Sequence, residues 1–323
     1  MRKEFTPEYV AVQGIEHFVL HGPRHGNAPV LLFLHGGPGF AERYFALKLE
    51  RAWRGLFTQV HWDQRGAGMT LARNGRAAHP QSIDQMVGDL HGIVGHLKRR
   101  YAVDKLVILG HSWGSVLGSL YALRHPGNVA AYVGSGQVVS VRDNEREGFL
   151  LAERQARAAR DSKNLAVLER LGDYPPADVD EFLRALPKVR KVQDAYEDGP
   201  KTGTLALSVL ADRLFALRDL VGLARAPGAN KALLRGLADF DLRTQGSRYA
   251  CPVHYLLGRN DPITPTVCAR AYFDGLQAPH KALTIMPDSG HSPMFEQPEA
   301  YAAALGAVRA GLGAVSASTG GGH

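Results

Sequence analysis

Ser112 stands in Gly110-His111-Ser112-Trp113-Gly114. This pentapeptide lies between the apolar run Leu106 to Leu109 and a helix-like stretch, Ser115 to Leu123. A serine on a sharp strand-to-helix turn is lifted above the sheet edge, where its Oγ can reach a carbonyl carbon. Glycines at both ends suit such a turn, because side chains there would collide with the backbone. The hydroxyl is a weak nucleophile until a base takes its proton. The base in turn needs an orienting group, and the tetrahedral oxyanion needs hydrogen-bond donors. His291 and Asp261 are the candidates for base and orienter. The main-chain N–H groups of Gly37 and Trp113 are the candidates for an oxyanion hole.

Position selects these residues. The chain has 14 His and 31 acidic residues, so a histidine and an aspartate downstream of the serine mean little by themselves. His291, however, lies in Ser289-Gly290-His291-Ser292-Pro293, just past the apolar stretch Ala282 to Met286. Asp261 lies in Gly258-Arg259-Asn260-Asp261-Pro262, just past Val253 to Leu257. Gly37 lies in His35-Gly36-Gly37-Pro38-Gly39, directly after Val30 to Leu34. Each candidate therefore follows a predicted strand, and loops at strand ends are where the catalytic groups of open α/β sheets gather. The chain order Ser112, Asp261, His291 is that of α/β-hydrolases and differs from the orders of chymotrypsin and subtilisin. His35 and His111 flank the oxyanion loop and the turn, and are read as supports. Asp63-Gln64-Arg65-Gly66 follows another strand end and reads as structural, with Arg65 pinning neighbouring loops. Two roles are open to Glu296: neutralising Arg65, or supporting the His291 loop.

Five segments together resemble proline iminopeptidases, within the wider proline-iminopeptidase-like α/β-hydrolases. They are His35-Gly36-Gly37-Pro38-Gly39, Asp63-Gln64-Arg65-Gly66-Ala67-Gly68, Gly110 to Ser115, Gly258 to Pro262, and Gly290 to Glu296. The resemblance spans about residues 10 to 310. It implies a serine hydrolase that releases an N-terminal residue, often proline, from small peptides. Three features depart from that family. Thr70 stands where a serine is usual, and His111 where a glycine is usual. The lid lacks the family's Trp-x-x-Trp-Glu segment, since Trp53, Trp62 and Trp113 are the only tryptophans.

An aminopeptidase needs an anion for the substrate's ammonium group, because an unpaired cation in a desolvated site is costly. Glu145 and Glu147 are the candidates named for it; Glu153 and Glu197 lie further along the same stretch. An esterase, amidase or lactonase with the same triad needs no such anchor and would use apolar walls such as Phe149, Leu210, Leu214 and Phe215. A binding protein that keeps the fold without turnover is the third reading, and the complete set of catalytic residue types argues against it.

The 323 residues, 45% of them hydrophobic, are enough for one large core. The predicted fold is α/β: an α/β-hydrolase fold with a mostly parallel sheet flanked by helices and an inserted helical lid. The expected division is 1–140 and 241–315 for the hydrolase core, 141–240 for the lid, and 316–323 for a disordered tail. Ser82 to Tyr101 has the clearest helical spacing. Breaks in the lid are expected at Tyr174-Pro175-Pro176, Asp198-Gly199-Pro200 and Pro227-Gly228. No run reaches the roughly 18 apolar residues of a membrane-spanning helix. No secretory signal is read at the start, and only two cysteines occur, so a cytoplasmic location is expected. The net charge of +7 comes from basic residues interspersed with acids, and no nucleic-acid module is recognised. The expected partner is a small-molecule or short-peptide substrate, with no nucleic acid and no membrane. No metal or organic cofactor is required by this chemistry, and no H-E-x-x-H motif is present.

Overall fold

A computed structural model describes residues 5–196 and 214–319. Its centre is an eight-stranded sheet in the order β1-β2-β4-β3-β5-β6-β7-β8. The strands are β1 Thr6–Val12, β2 Ile15–His21, β3 Val30–Leu34, β4 Thr58–Asp63, β5 Leu106–His111, β6 Val129–Ser135, β7 Val253–Gly258 and β8 Lys281–Met286. β1 and β2 are antiparallel to each other, and β2 is antiparallel to β4. Every pairing from β4 onward is parallel.

The leading hairpin was not anticipated from the alternation of strand and helix signals. Its turn is made by Gln13 and Gly14, both at positive φ (45° and 76°). That is the backbone a two-residue hairpin turn requires.

β3 reads Val-Leu-Leu-Phe-Leu and is buried throughout. Continuous apolar runs of this kind belong to strands covered on both faces. Alternate residues go to opposite faces. Val30, Leu32 and Leu34 join Leu106 and Ile108 in one core cluster. Leu31 and Phe33 join Val107 and Leu109 in the other. The first face is covered by α3 (Ile83–Tyr101) and α4 (Trp113–Arg124). Ser82 caps α3 by accepting the Gln85 N–H at 3.1 Å, and Ala102 ends it in the left-handed conformation. The second face is covered by α1 (Ala46–Ala52) and the closing helix, where Trp53 stacks on Tyr301 at 5.5 Å. A short helix, α2 (Gly68–Asn74), follows β4.

Between β6 and β7 the chain forms helices α5 (Val141–Ala158), α6 (Ser162–Glu169), α7 (Val179–Tyr196), α8 (Leu217–Ala229) and α9 (Lys231–Leu237). The stretch leaves and returns side by side. Val141 N–H donates to Phe240 O at 3.0 Å, and Leu242 N–H to Val139 O at 2.7 Å. The expected break at Pro227-Gly228 falls inside α8. Pro227 lies in the last turn, and the ladder resumes at Asn230, whose N–H reaches Ala226 O at 3.1 Å. The Asp198-Gly199-Pro200 break lies outside the described residues.

After β7 come α10 (Thr266–Gly275), β8, the short α11 (Pro293–Glu296) and α12 (Pro298–Thr319). α12 extends past Leu312 and takes in Ser316 to Thr319, part of the tail read as disordered. The segment has no proline and is rich in alanine, so nothing in it stops a helix. Residues 320–323 lie outside the described residues.

Candidate active site

The sheet order puts the candidate residues at one end of neighbouring strands. β3 pairs with β5 in parallel register, Leu34 opposite Gly110. The loop carrying Gly37 and the turn carrying Ser112 therefore emerge together. β7 and β8 end at Gly258 and Met286, and their following loops carry Asp261 and His291.

Ser112 has φ 53° and ψ −122°, in a region that L residues seldom occupy. Such strain costs on the order of 1–3 kcal/mol and persists only where the surroundings enforce it. They do so here. Ser112 N–H donates to Ser135 O at 2.9 Å, and Ser115 Oγ donates to Ser112 O at 2.6 Å. The flanking glycines leave no slack. A Cβ on Gly110 would lie 2.4 Å from Gly114 O.

His291 Nδ1 lies 3.0 and 2.9 Å from the two carboxylate oxygens of Asp261. A carboxylate only accepts, so Nδ1 carries a proton. Asp261 also accepts the N–H groups of Ile263 and Thr264 at 2.8 Å each, and the Thr264 hydroxyl at 2.6 Å. Burial opposes the charge on Asp261. His291 and the Thr264 hydrogen bonds outweigh it and hold the carboxyl down at about 2. Gly136 makes room for the imidazole, since a Cβ there would lie 3.2 Å from the His291 ring.

Ser112, Gly37 and Trp113 share a cavity of about 160 Å³ with the insertion helices. A dry cavity of roughly 150 Å³ takes a benzene-sized guest, so there is room for one small residue or acyl group. Trp113 opens α4, and the first N–H groups of a helix have no acceptor within it. Gly37 has φ 113°, and a Cβ on it would lie 2.7 Å from Gly39 N, so only glycine fits the loop.

The surrounding polar groups form a scaffold. Gln64 Oε1 accepts the Trp113 indole N–H at 2.8 Å. His35 Nε2 accepts the Gln64 N–H at 3.1 Å, and its Nδ1 faces Gly36 O at 2.7 Å, so this ring is neutral. Burial lowers its pKa in agreement. Arg65 is committed to Asp89, at 2.7 and 3.0 Å. Glu296 is thus the support of the His291 loop. It accepts the Ser289 hydroxyl at 2.8 Å, the Ser292 N–H at 3.1 Å and the Gly290 N–H.

Glu145 and Glu147 separate. Glu145 is buried and lines the cavity beside Ser112, whereas Glu147 lines a different pocket with Cys268 and Tyr272. Glu145 is already engaged: Tyr174 donates to it at 2.6 Å, and Arg190 forms an ion pair with it. Glu153 pairs with Arg157 on the surface of α5. Glu197 and Leu210 lie outside the described residues.

Residues 31–304 match the alpha/beta hydrolase family. The chain belongs to the alpha/beta hydrolase family. This hydrolase is 26% identical over 284 residues to a Bacillus subtilis (strain 168) protein named probable aminopeptidase, covering 86% of the chain and 87% of the relative. It is 25% identical over 299 residues to a proline iminopeptidase of Heyndrickxia coagulans, covering 87% and 90%. Among solved structures, a proline iminopeptidase-related protein from Thermus thermophilus is similar at a TM-score of 0.66 and 25% identity, covering 97% of this hydrolase and 99% of that chain.

Several site residues were not read from the sequence. Thr264 had a signal, since an aspartate commonly accepts hydrogen bonds from the backbone two or three residues on. Glu42 and Arg190 had none, because their partners are distant in the chain; Asn144 had none, because burial of a single polar residue leaves no mark in the sequence.

Among the described residues, no helix is long and apolar enough to cross a membrane, and no cluster of three or more His, Cys, Asp or Glu could hold a metal.

Proposed function

We propose that this enzyme is a serine hydrolase that releases a small N-terminal residue from short peptides through an acyl-enzyme. Ser112 attacks the scissile carbonyl as His291 Nε2 takes its proton. Asp261 holds the imidazole in the required tautomer and stabilises the imidazolium. The N–H groups of Gly37 and Trp113 receive the oxyanion. His291 then protonates the leaving amine, and water repeats the sequence on the acyl-enzyme.

The observation that carries this reading is the Asp261–His291 pair at 2.9 Å, on loops adjoining the strained Ser112 turn. The peptidase reading adds the Glu145 carboxylate in the cavity wall and the names of the relatives. A second reading, an amidase or esterase for uncharged acyl groups, is favoured by one observation: Arg190 already neutralises Glu145. Two free thiols, Cys251 and Cys268, suit a reducing, cytoplasmic location.

The test is turnover of proline p-nitroanilide and of a p-nitrophenyl ester, with Ser112→Ala as control. Ser112-dependent anilide cleavage that an N-acetyl cap abolishes supports the aminopeptidase. Ester cleavage alone removes it and leaves the second reading. No Ser112-dependent turnover of either substrate sinks the serine-hydrolase assignment for both.

A further inference from the structure

Asn144 lies on α5 and is 3% exposed. It is one of the residues that line the same cavity as Ser112. Among the described residues, neither its Nδ2 nor its Oδ1 has a hydrogen-bond partner. Buried polar groups are nearly always paired, and leaving both ends of a carboxamide unpaired is costly. The neighbours do not relieve it. Glu145, the next residue, is held by Tyr174 and Arg190, and Arg190 Nη1 also donates to Gln193 at 2.7 Å. Most of the remaining wall is apolar, including Val138, Val141, Leu186 and Leu237.

We infer that Asn144 is a specificity-determining residue that pairs with a neutral amide of the substrate beside the scissile group. The argument is complementarity. A carboxamide presents one donor edge and one acceptor edge, and only a group with both can satisfy it. An ammonium group offers donors alone, and an ester offers acceptors alone. A second amide offers both. It has two possible sources: the next peptide bond on the leaving side, or an acyl cap on the first residue. The inference rests on Ser112 marking the reaction centre, as in the function proposed above.

The experiment is calorimetric binding to Ser112→Ala protein, which does not depend on turnover. The ligands are alanyl-glycinamide (leaving-side amide), N-acetylalanine methyl ester (acyl-side amide) and alanine methyl ester (no second amide). One of the first two should bind about tenfold or more tightly than the third, because a buried pair of edges is satisfied only by the amide. Which one it is identifies the source. Adding Asn144→Leu, of similar volume, should bring that ratio close to one. Adding Asn144→Asp, which keeps the acceptor edge, should leave an intermediate ratio. Thermal melting checks that both variants are folded. A ratio that Asn144→Leu leaves unchanged overturns the inference, as does equal binding of all three ligands. Absence of turnover by the intact enzyme, with the binding ratio present, would remove the hydrolase reading and leave Asn144 as an amide-recognising residue of a binding site.

Discussion

His111 Nε2 lies 3.0 Å from the main-chain carbonyl of His291. A carbonyl only accepts, so His111 donates from Nε2. Its Nδ1 faces a Glu42 carboxylate oxygen at 2.8 Å, which also only accepts. Both ring nitrogens therefore carry protons, and His111 is an imidazolium. Glu42 also accepts the Gly36 N–H at 2.8 Å. One buried ion pair thus ties the loop of Gly37 to the loop of His291. His111, the residue before Ser112, thus clamps the two loops together.

The clamp has a pH signature. Burial would lower the His111 pKa, but the Glu42 charge and hydrogen bond outweigh it and raise it to about 9 from 6.5. A raised folded-state pKa contributes stability that is full below the unfolded value and is lost as pH rises through the folded one. The window is therefore about pH 6.5 to 9, and the loss is on the order of 3 kcal/mol. His291 and Asp261 are the other titratable groups facing His111, and both stay in place in this test. Urea unfolding from pH 6 to 10 should show the loss, and Glu42→Gln should move it to lower pH. A flat profile over that range would contradict a charged His111.

Asp261→Asn should lower kcat on the order of ten-thousandfold, with a small change in KM. An amide at 261 donates toward Nδ1 and favours the wrong imidazole tautomer. With its pKa at about 2, Asp261 itself stays ionised through the working range. Steady-state rates on the substrate identified with Ser112→Ala as control test this. A loss below tenfold would mean that another group orients His291.

Much of this arrangement was legible because each residue of the proposed triad sits in a local pattern. Ser112, Asp261 and His291 each follow an apolar run by a few residues, and a run-then-loop pattern is visible within one short window. The β3 and β5 runs likewise announce buried parallel strands. What stayed hidden is pairing across the chain. Glu42 meets His111 69 positions away, and Glu145 meets Arg190 45 positions away. Neither spacing belongs to a helix or strand period, so only folding reveals them. Pro227 misled for a different reason: it forfeits its own bond to the carbonyl four residues back, but the helix ends two residues later at Ala229, so the interruption stays local.

Glu296→Ala should reduce kcat roughly ten- to a hundredfold while KM moves little, because a loop displaced by about 1 Å misdirects the base. The change strips an acceptor from Ser289 Oγ and from the N–H groups of Gly290 and Ser292. Glu296→Gln keeps an acceptor oxygen and should recover part of the rate. If Glu296→Ala instead raises KM alone, Glu296 acts on substrate binding and the positioning role is wrong.

Gly114→Ala tests the closest approach in the site. A Cβ there would lie 2.0 Å from Leu34 O and 2.8 Å from His35 O. These are backbone atoms of β3 and the loop of Gly37, and β3 is buried among its neighbours, so they have nowhere to move. α4 must back away from the sheet, or the β3 to β5 pairing must open. Either change should cost roughly 3 kcal/mol or more, above the usual range for an added methylene in a core. Gly127→Ala is the control, since a Cβ there meets nothing within 4 Å. It should change stability by less than about 0.5 kcal/mol. Urea midpoints of the two variants measured together separate the cases. Equal, small shifts would show that α4 can move freely over the sheet end. The strained φ of Ser112 would then need a cause other than the packing of Gly114.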